Sequence, residues 1–213
     1  MTSIRRLLML AVPLLLTTSC ISYAVGTTAR PAPKGDFQPN LMVYTVPGGI
    51  EEVGAEDDVD DASLAYASAD FEGRWGLTDR SDLALRVPAA SGAILTYKRM
   101  FGPNDPARPA FAGIVGGGIV NFGNHAYVEA GLIGSGIEDG GVPYGGIRTM
   151  HVMPIASGAV EDSPTVGIFG GYRMRINESL SLSPELGIYY DEPALQLRER
   201  NIIFIPSISF HWN

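Results

Sequence analysis

The fold is decided by the stretch Thr165–Tyr190, which has the sequence TVGIFGGYRMRINESLSLSPELGIYY. It consists of two alternating runs joined by the polar turn Asn177-Glu178-Ser179. Because successive side chains of a strand point to opposite faces, each run has one apolar face and one face of small or charged residues. Each run has roughly the 9–11 residues that a tilted strand needs to cross a bilayer. The stretch therefore predicts a transmembrane β-hairpin.

The composition of the whole chain fits an all-β membrane protein. Hydrophobic residues make up 46% of the 213 residues, which is too apolar for a disordered chain. The 26 glycines and 15 prolines, set among alternating apolar residues, indicate many strands and turns. The net charge of −8 argues against DNA or RNA as a partner, because phosphate binding needs clustered Lys and Arg. The lysines are Lys34 and Lys98, whereas soluble sheets usually protect their edges with lysine.

Residues 1–19 predict an export signal. Arg5 and Arg6 form a positive start, and Leu7–Leu16 is an apolar segment too short to span a bilayer stably. Small residues then lead to Cys20, the single cysteine of the chain. A single cysteine in an exported protein needs an explanation, because it has no partner for a disulfide within the chain.

The residues before Cys20 resemble the lipobox of bacterial lipoproteins, in which the cysteine becomes the lipidated first residue of the mature chain. Thr17 stands where this motif usually has Leu. By resemblance to enterobacterial lipoproteins, Ile21 permits sorting to the outer membrane. The expected localisation is the cell outer membrane, with a lipid anchor on Cys20 and a flexible tether over residues 20–38. The alternative is an ordinary secretory signal followed by a spare thiol.

Residues 39–213 predict an all-β domain, an antiparallel up-and-down transmembrane β-barrel of about 8–10 strands. The last strand, Asn201–Trp212, alternates apolar residues and ends on an aromatic, which resembles the C-terminal strand of outer-membrane β-barrels. The turn Trp75–Arg80, followed by an Asp-Leu-x-Leu strand, is similar to their periplasmic turns. The resemblance implies two partners: outer-membrane lipid and, during biogenesis, the barrel-assembly machinery.

The positions that face the lumen of this barrel carry both acids and bases. They are Asp70, Glu72, Arg74, Arg86, Lys98, Glu129, Arg173, Arg175 and Glu185. Side chains nearly fill a barrel of this size, and a buried unpaired charge is costly. We therefore expect a charge network that pairs across the lumen and closes it, and a structural or surface-interaction role.

Two other functions stay open. A lipid-anchored periplasmic β-barrel could bind an apolar ligand in a cavity lined by Ile168, Tyr172, Leu186 and Phe210. Alternatively, the barrel is a narrow solute channel, provided that the lumen charges leave a continuous wet path.

No motif predicts catalysis, a cofactor or a metal centre. His151 and Ser157 are near in sequence, but no nucleophile-elbow motif surrounds the serine. Cysteine or histidine pairs with metal-ligand spacing are absent. The acidic stretch 51–61 lacks the glycine of an EF-hand and is read as a solvated loop, although clustered carboxylates suit hard cations. We expect a non-enzymatic protein without cofactor.

Overall fold

The computed structural model describes residues 22–46, 66–156, 164–191 and 201–212. The predicted signal segment, Cys20, the acidic stretch 51–61 and Ser157 lie outside the described residues. The described ranges form a closed antiparallel barrel in which each strand pairs with its neighbours in the chain and the last strand pairs with the first. This arrangement confirms the predicted all-β up-and-down barrel.

Ten strands are present in the described ranges, at the upper limit of the predicted number. They are β1 (Phe37–Val46), β2 (Tyr66–Thr78), β3 (Ser81–Pro88), β4 (Ala93–Phe101), β5 (Ala110–Val120), β6 (His125–Ser135), β7 (Gly141–Pro154), β8 (Thr165–Arg175), β9 (Leu180–Asp191) and β10 (Asn201–Trp212). The connection between β6 and β7, predicted over 134–142, is limited to residues 136–140. No helix in the described ranges is long and apolar enough to cross a membrane.

The two ends of the barrel differ in what they contain. The terminal end holds the start of β1, the end of β10 and the connections 79–80, 102–109, 136–140 and 176–179. The opposite end holds connection 89–92 and the 3-10 turn Asn121–Gly123, together with connections that the structure describes only in part. The turns Thr78–Ser81 and Asn177–Ser179 therefore lie at the end that holds both strand termini, as predicted.

The hairpin β8–β9 shows how the sequence sorts its side chains. Ile168 pairs with Ile188, and Gly170 pairs with Leu186. Ile168 is 55% exposed on the outer surface, whereas its neighbour Phe169 is buried inside. Tyr172 and Leu186 also lie outside, as does Phe210, which alternates with buried neighbours in β10. The alternative in which these residues line an apolar cavity is therefore wrong.

Exposed aromatic residues lie near both ends of the barrel wall. At the terminal end, the rings of Phe37 and Trp75 pack with their centroids 4.8 Å apart, and Trp212 lies on the same rim. Near the opposite end, Tyr190 and Phe204 are exposed. Two aromatic belts that flank an apolar band are typical of transmembrane β-barrels.

The residues before β1 run inside the barrel. Ser22–Ala32, called here the luminal segment, is buried almost throughout. The chain enters at the terminal end, where Gly35 N donates to Gly76 O at 2.8 Å. It then continues inward until Ser22 Oγ donates to Asp70, which pairs with Pro88, the last residue of β3. The luminal segment therefore spans most of the lumen.

The predicted flexible tether over 20–38 is wrong for its described part. The luminal segment is rich in small residues, so it fits a narrow lumen. Its backbone groups are satisfied by charged side chains of the barrel wall, which water would otherwise have to do. Proline and glycine content indicated an unstructured segment because these long-range partners are not visible locally.

Candidate functional site

The lumen holds a buried charge cluster on β2, β3 and β4. Glu72 accepts from Arg74 Nη2 at 2.8 Å and from Arg86 Nη2 at 2.7 Å. Asp82 accepts from Arg74 Nη1 at 2.6 Å and pairs with Lys98 Nζ at 3.2 Å. All five side chains are buried. The register explains the cluster, because Glu72 lies opposite Arg86 and Asp82 lies opposite Lys98 on neighbouring strands.

A second charge cluster lies on β6 and β7. Arg148 Nε donates to Glu129 Oε2 at 2.8 Å, and Tyr127 OH donates to the same oxygen at 3.1 Å. Thr96 Oγ1 donates to the other carboxylate oxygen of Glu129 at 2.7 Å. Glu129 and Arg148 are both buried. The carboxylate therefore has partners on both oxygens, which lowers the cost of burying it.

The cations of both clusters also hold the luminal segment. Three contacts reach its carbonyl oxygens: Arg86 Nη1 to Ala24 O at 2.9 Å, Lys98 Nζ to Arg30 O at 2.7 Å and Arg148 Nη1 to Tyr23 O at 3.0 Å. Each cation thus satisfies a carboxylate of the wall and a carbonyl of the segment. Such charge-assisted hydrogen bonds are about twice as strong as neutral ones.

The wall carboxylates hold the backbone amides of the same segment. Val25 N donates to Glu185 Oε1 at 2.8 Å, and Gly26 N donates to Glu185 Oε2 at 3.0 Å. Ala32 N donates to Asp82 Oδ2 at 2.9 Å. Donors and acceptors of the segment are therefore matched by acids and bases of the wall.

The structure places most predicted lumen residues inside the barrel. Asp70, Glu72, Arg74, Arg86, Lys98, Glu129 and Glu185 are buried there. Arg173 is half-buried, and Arg175 is exposed at the end of β8. The ion pairs do not cross the lumen as expected but join residues on the same strand or on neighbouring strands, because the luminal segment occupies the centre.

Sequence reasoning missed Arg148, Asp82 and Arg30 as members of this network. Arg148 was missed because β7 contains glycines and does not alternate clearly in polarity. A signal was nevertheless present, since counting by two from Tyr144 reaches Arg148 on the same face. Arg30 pairs with Glu138 at 3.0 Å, a contact that depends on the course of the luminal segment.

The two ends of the lumen are closed to different degrees. At the opposite end, buried apolar and aromatic side chains fill the interior: Tyr23, Met42, Tyr44, Val46, Ile94, Val120, Tyr127, Met150, Val152, Tyr189, Ile203 and Ile205. At the terminal end, a cavity of about 670 Å³ lies between the luminal segment and the wall. The cavity is lined mainly by polar and charged residues, among them Arg74, Lys98, Arg173 and His211.

The histidines do not form a recognisable catalytic or metal centre. Ser183 Oγ lies 2.9 Å from His211 Nε2, but the ring of His211 faces Arg173, at 3.4 Å, and no carboxylate is recorded against it. A serine–histidine pair needs a group that orients the base, and a cation is unsuited to that role. Within the described ranges, no group of three or more His, Cys, Asp and Glu could hold a metal ion.

The fold is similar to that of solved outer-membrane proteins. An outer membrane channel from Pseudomonas putida F1 is 12% identical, with 86% of this chain and 97% of that chain covered and a TM-score of 0.52. Neisserial surface protein A is also 12% identical, with coverages of 83% and 96% and a TM-score of 0.40. The outer membrane protein OprG from Pseudomonas aeruginosa is 12% identical, with coverages of 87% and 98% and a TM-score of 0.34.

Neither a protein-family model nor a curated protein sequence matches this chain. The likeness to the P. putida structure therefore supports the architecture, a closed antiparallel barrel of the outer-membrane type.

Proposed function

We propose that the protein is an outer-membrane β-barrel that is closed by its own N-terminal segment and has a structural or surface-interaction role. One observation carries the proposal: the polarity of the barrel is inverted relative to a soluble protein. Apolar side chains such as Ile168, Leu186 and Phe204 are exposed outside, while acids and bases are buried inside. A continuous exposed apolar band is costly in water and favourable in a bilayer.

The closed lumen favours a structural or interaction role over permanent conduction. The luminal segment and the apolar cluster of the opposite end leave the described cavity open at the terminal end only. A second candidate function is a gated solute channel, which the size of this cavity favours. It requires that the luminal segment leaves its site.

We further propose that the chain is a lipoprotein modified on Cys20. Ser22 lies near the opposite end of the lumen, and two residues of chain span at most about 7 Å. With the luminal segment in place, a lipid on Cys20 would emerge at the opposite end, which faces outward if short turns face the periplasm. Metabolic labelling with palmitate tests this, since Cys20→Ala should abolish the label while the barrel still assembles.

The membrane location is tested with two isoleucines of equal exposure but different position. Ile168 is 55% exposed in the middle of β8, and Ile176 is 54% exposed in the turn after it. Ile168→Arg should lower the free energy of unfolding in lipid vesicles by about 2–4 kcal/mol, whereas Ile176→Arg should change it by about 0–1 kcal/mol. Urea titration of both variants measures the difference. Equal, small effects of both substitutions would show that the outer surface contacts water.

A further inference from the structure

We propose that the cavity at the terminal end is a binding site for a small soluble anion, a carboxylate or a phosphate ester, with Arg173 as its main ligand-binding residue. The proposal goes beyond the structural role of the barrel. It does not depend on the location of the barrel, because binding is measured on the purified full-length protein.

Arg173 differs from the other cations of the lumen in having no carboxylate partner. Arg74, Arg86, Lys98 and Arg148 each form a salt bridge with a buried acid. Arg173 forms no salt bridge within the described part of the chain. Burying a charge without a counter-charge is costly, so this guanidinium is suited to recruit an anion from solution.

The contacts of Arg173 with the protein are long and leave its donors weakly used. Nε lies 3.5 Å from Ser183 Oγ, and Nη2 lies 3.4 Å from Gly26 O and 3.4 Å from His211. These distances are at or beyond the long limit of ordinary hydrogen bonds. They fix the side chain against the wall and the luminal segment, but they do not neutralise it. A planar guanidinium of this kind can bind a carboxylate or phosphate through two parallel hydrogen bonds.

The charge around the cavity is opposite in sign to that of the whole chain. Six basic residues line it: Arg30, Lys34, Arg74, Lys98, Arg173 and Arg175. Three acids line it, and two of them, Glu72 and Glu138, already pair with arginines. The lining thus has an excess of three positive charges in a chain of net charge −8. A cleft lined by one sign of charge raises the local concentration of ions of the other sign.

The size and polarity of the cavity restrict the ligand to a small hydrophilic molecule. Its volume of about 670 Å³ lies within the range of small-molecule sites. Besides the charged groups, the lining includes Thr27, Asn40 and Ser181, which offer hydrogen bonds rather than apolar surface. Arg175 is exposed and lines the same cavity, so it is placed to meet the anion first.

The test is isothermal titration of the detergent-solubilised full-length protein with inorganic phosphate, glycerol 3-phosphate and citrate at low ionic strength. At least one of these probes should bind. Arg173→Gln should weaken that binding by about tenfold or more, since a charge-assisted contact is lost. Arg173→Lys keeps the charge but not the planar fork, so it should bind with intermediate affinity. Arg175→Gln should have a smaller effect than Arg173→Gln.

Arg108→Gln is the matched control, because the Arg108 side chain is 73% exposed in a loop at the same end and does not line the cavity. It should bind the probes as the unsubstituted protein does. Heat-modified gel mobility checks that each variant is folded. The proposal is overturned if no probe binds, if Arg173→Gln binds as tightly as Arg108→Gln, or if dihexanoyl phosphatidic acid binds while the three soluble anions do not. The last result would identify a lipid head-group site.

Discussion

The opposite end and the terminal end of the lumen are built from the same strands but have different interiors. At the opposite end, Tyr23, Tyr44 and Tyr189 pack together, and the centroids of the Tyr23 and Tyr189 rings are 5.4 Å apart. At the terminal end, a cavity lined by charged side chains remains open. Between them, two charge clusters hold the luminal segment. The barrel therefore has a sealed apolar end, a charged middle and an open polar end.

The difference shows how one segment can close a barrel without filling it. Aromatic and aliphatic side chains pack densely and exclude water, so the opposite end needs no counter-charges. Charged side chains need partners in fixed positions, so they leave space wherever a partner is missing, as beside Arg173. The following variants test the three regions separately.

The largest effect is expected in the charged middle. Arg148→Met leaves the Glu129 carboxylate buried without its cation, which should lower the free energy of unfolding by about 3–5 kcal/mol. The double variant Glu129→Met, Arg148→Met removes both charges and should recover most of that loss. Urea unfolding in lipid vesicles measures both. If the single variant loses less than about 1 kcal/mol, the pair is not a main support of the middle region.

A somewhat smaller effect is expected at the sealed end. Tyr189→Ala removes a buried ring and the hydrogen bond from Tyr189 OH to Tyr23 O, which is 2.7 Å long. The loss should be about 3 kcal/mol, because a cavity remains. Tyr189→Phe is the control, since it keeps the ring and should lose about 1 kcal/mol. Equal losses for both variants would mean that the hydrogen bond, rather than packing, closes this end.

The seat of the luminal segment is tested by two glycines with left-handed backbone. Gly26 has φ = +59°, and a Cβ there would lie 2.7 Å from Met42 Sδ and 2.8 Å from Ser209 Oγ. Gly35 has φ = +86° and open space around it. Gly35→Ala should cost about 1–2 kcal/mol through backbone strain alone.

Gly26→Ala adds steric conflict to the same backbone strain, so it should also loosen the luminal segment. Single-channel recording in planar bilayers should show brief openings for Gly26→Ala and none for Gly35→Ala. Silent recordings from both variants would indicate that the segment adapts to the extra methyl group without leaving its site.

The smallest effect is expected in a surface loop at the terminal end. Asp105 and Arg108 form a 3.2 Å salt bridge whose side chains are largely exposed. Asp105→Asn should change the free energy of unfolding by less than about 0.5 kcal/mol, because exposed ion pairs are weak. Asp82→Asn, which removes a buried charge between Arg74 and Lys98, should have a much larger effect in the same titration. Similar values for the two would contradict the assignment of a buried network.

Local sequence pattern predicted much of the wall of the barrel. Alternation in β8, β9 and β10 gave their faces and nearly their bounds, because a strand exposes its side chains with a period of two. The same rule identified Glu72, Arg86 and Glu129 as inward residues. Where glycines interrupt the alternation, as in β7, the rule lost Arg148.

The amino-acid sequence by itself determined the strands, the hairpin turns and the inversion of polarity, because these depend on neighbours in the chain. Only the tertiary structure decided that Ser22–Ala32 closes the lumen and that Arg173 is left without a carboxylate. The contact between Val25 and Glu185 joins residues 160 positions apart, and nothing near Val25 in the sequence predicts it. Closure of the barrel creates the narrow, charged interior in which this segment finds partners for its backbone, so its structure follows from the fold as a whole.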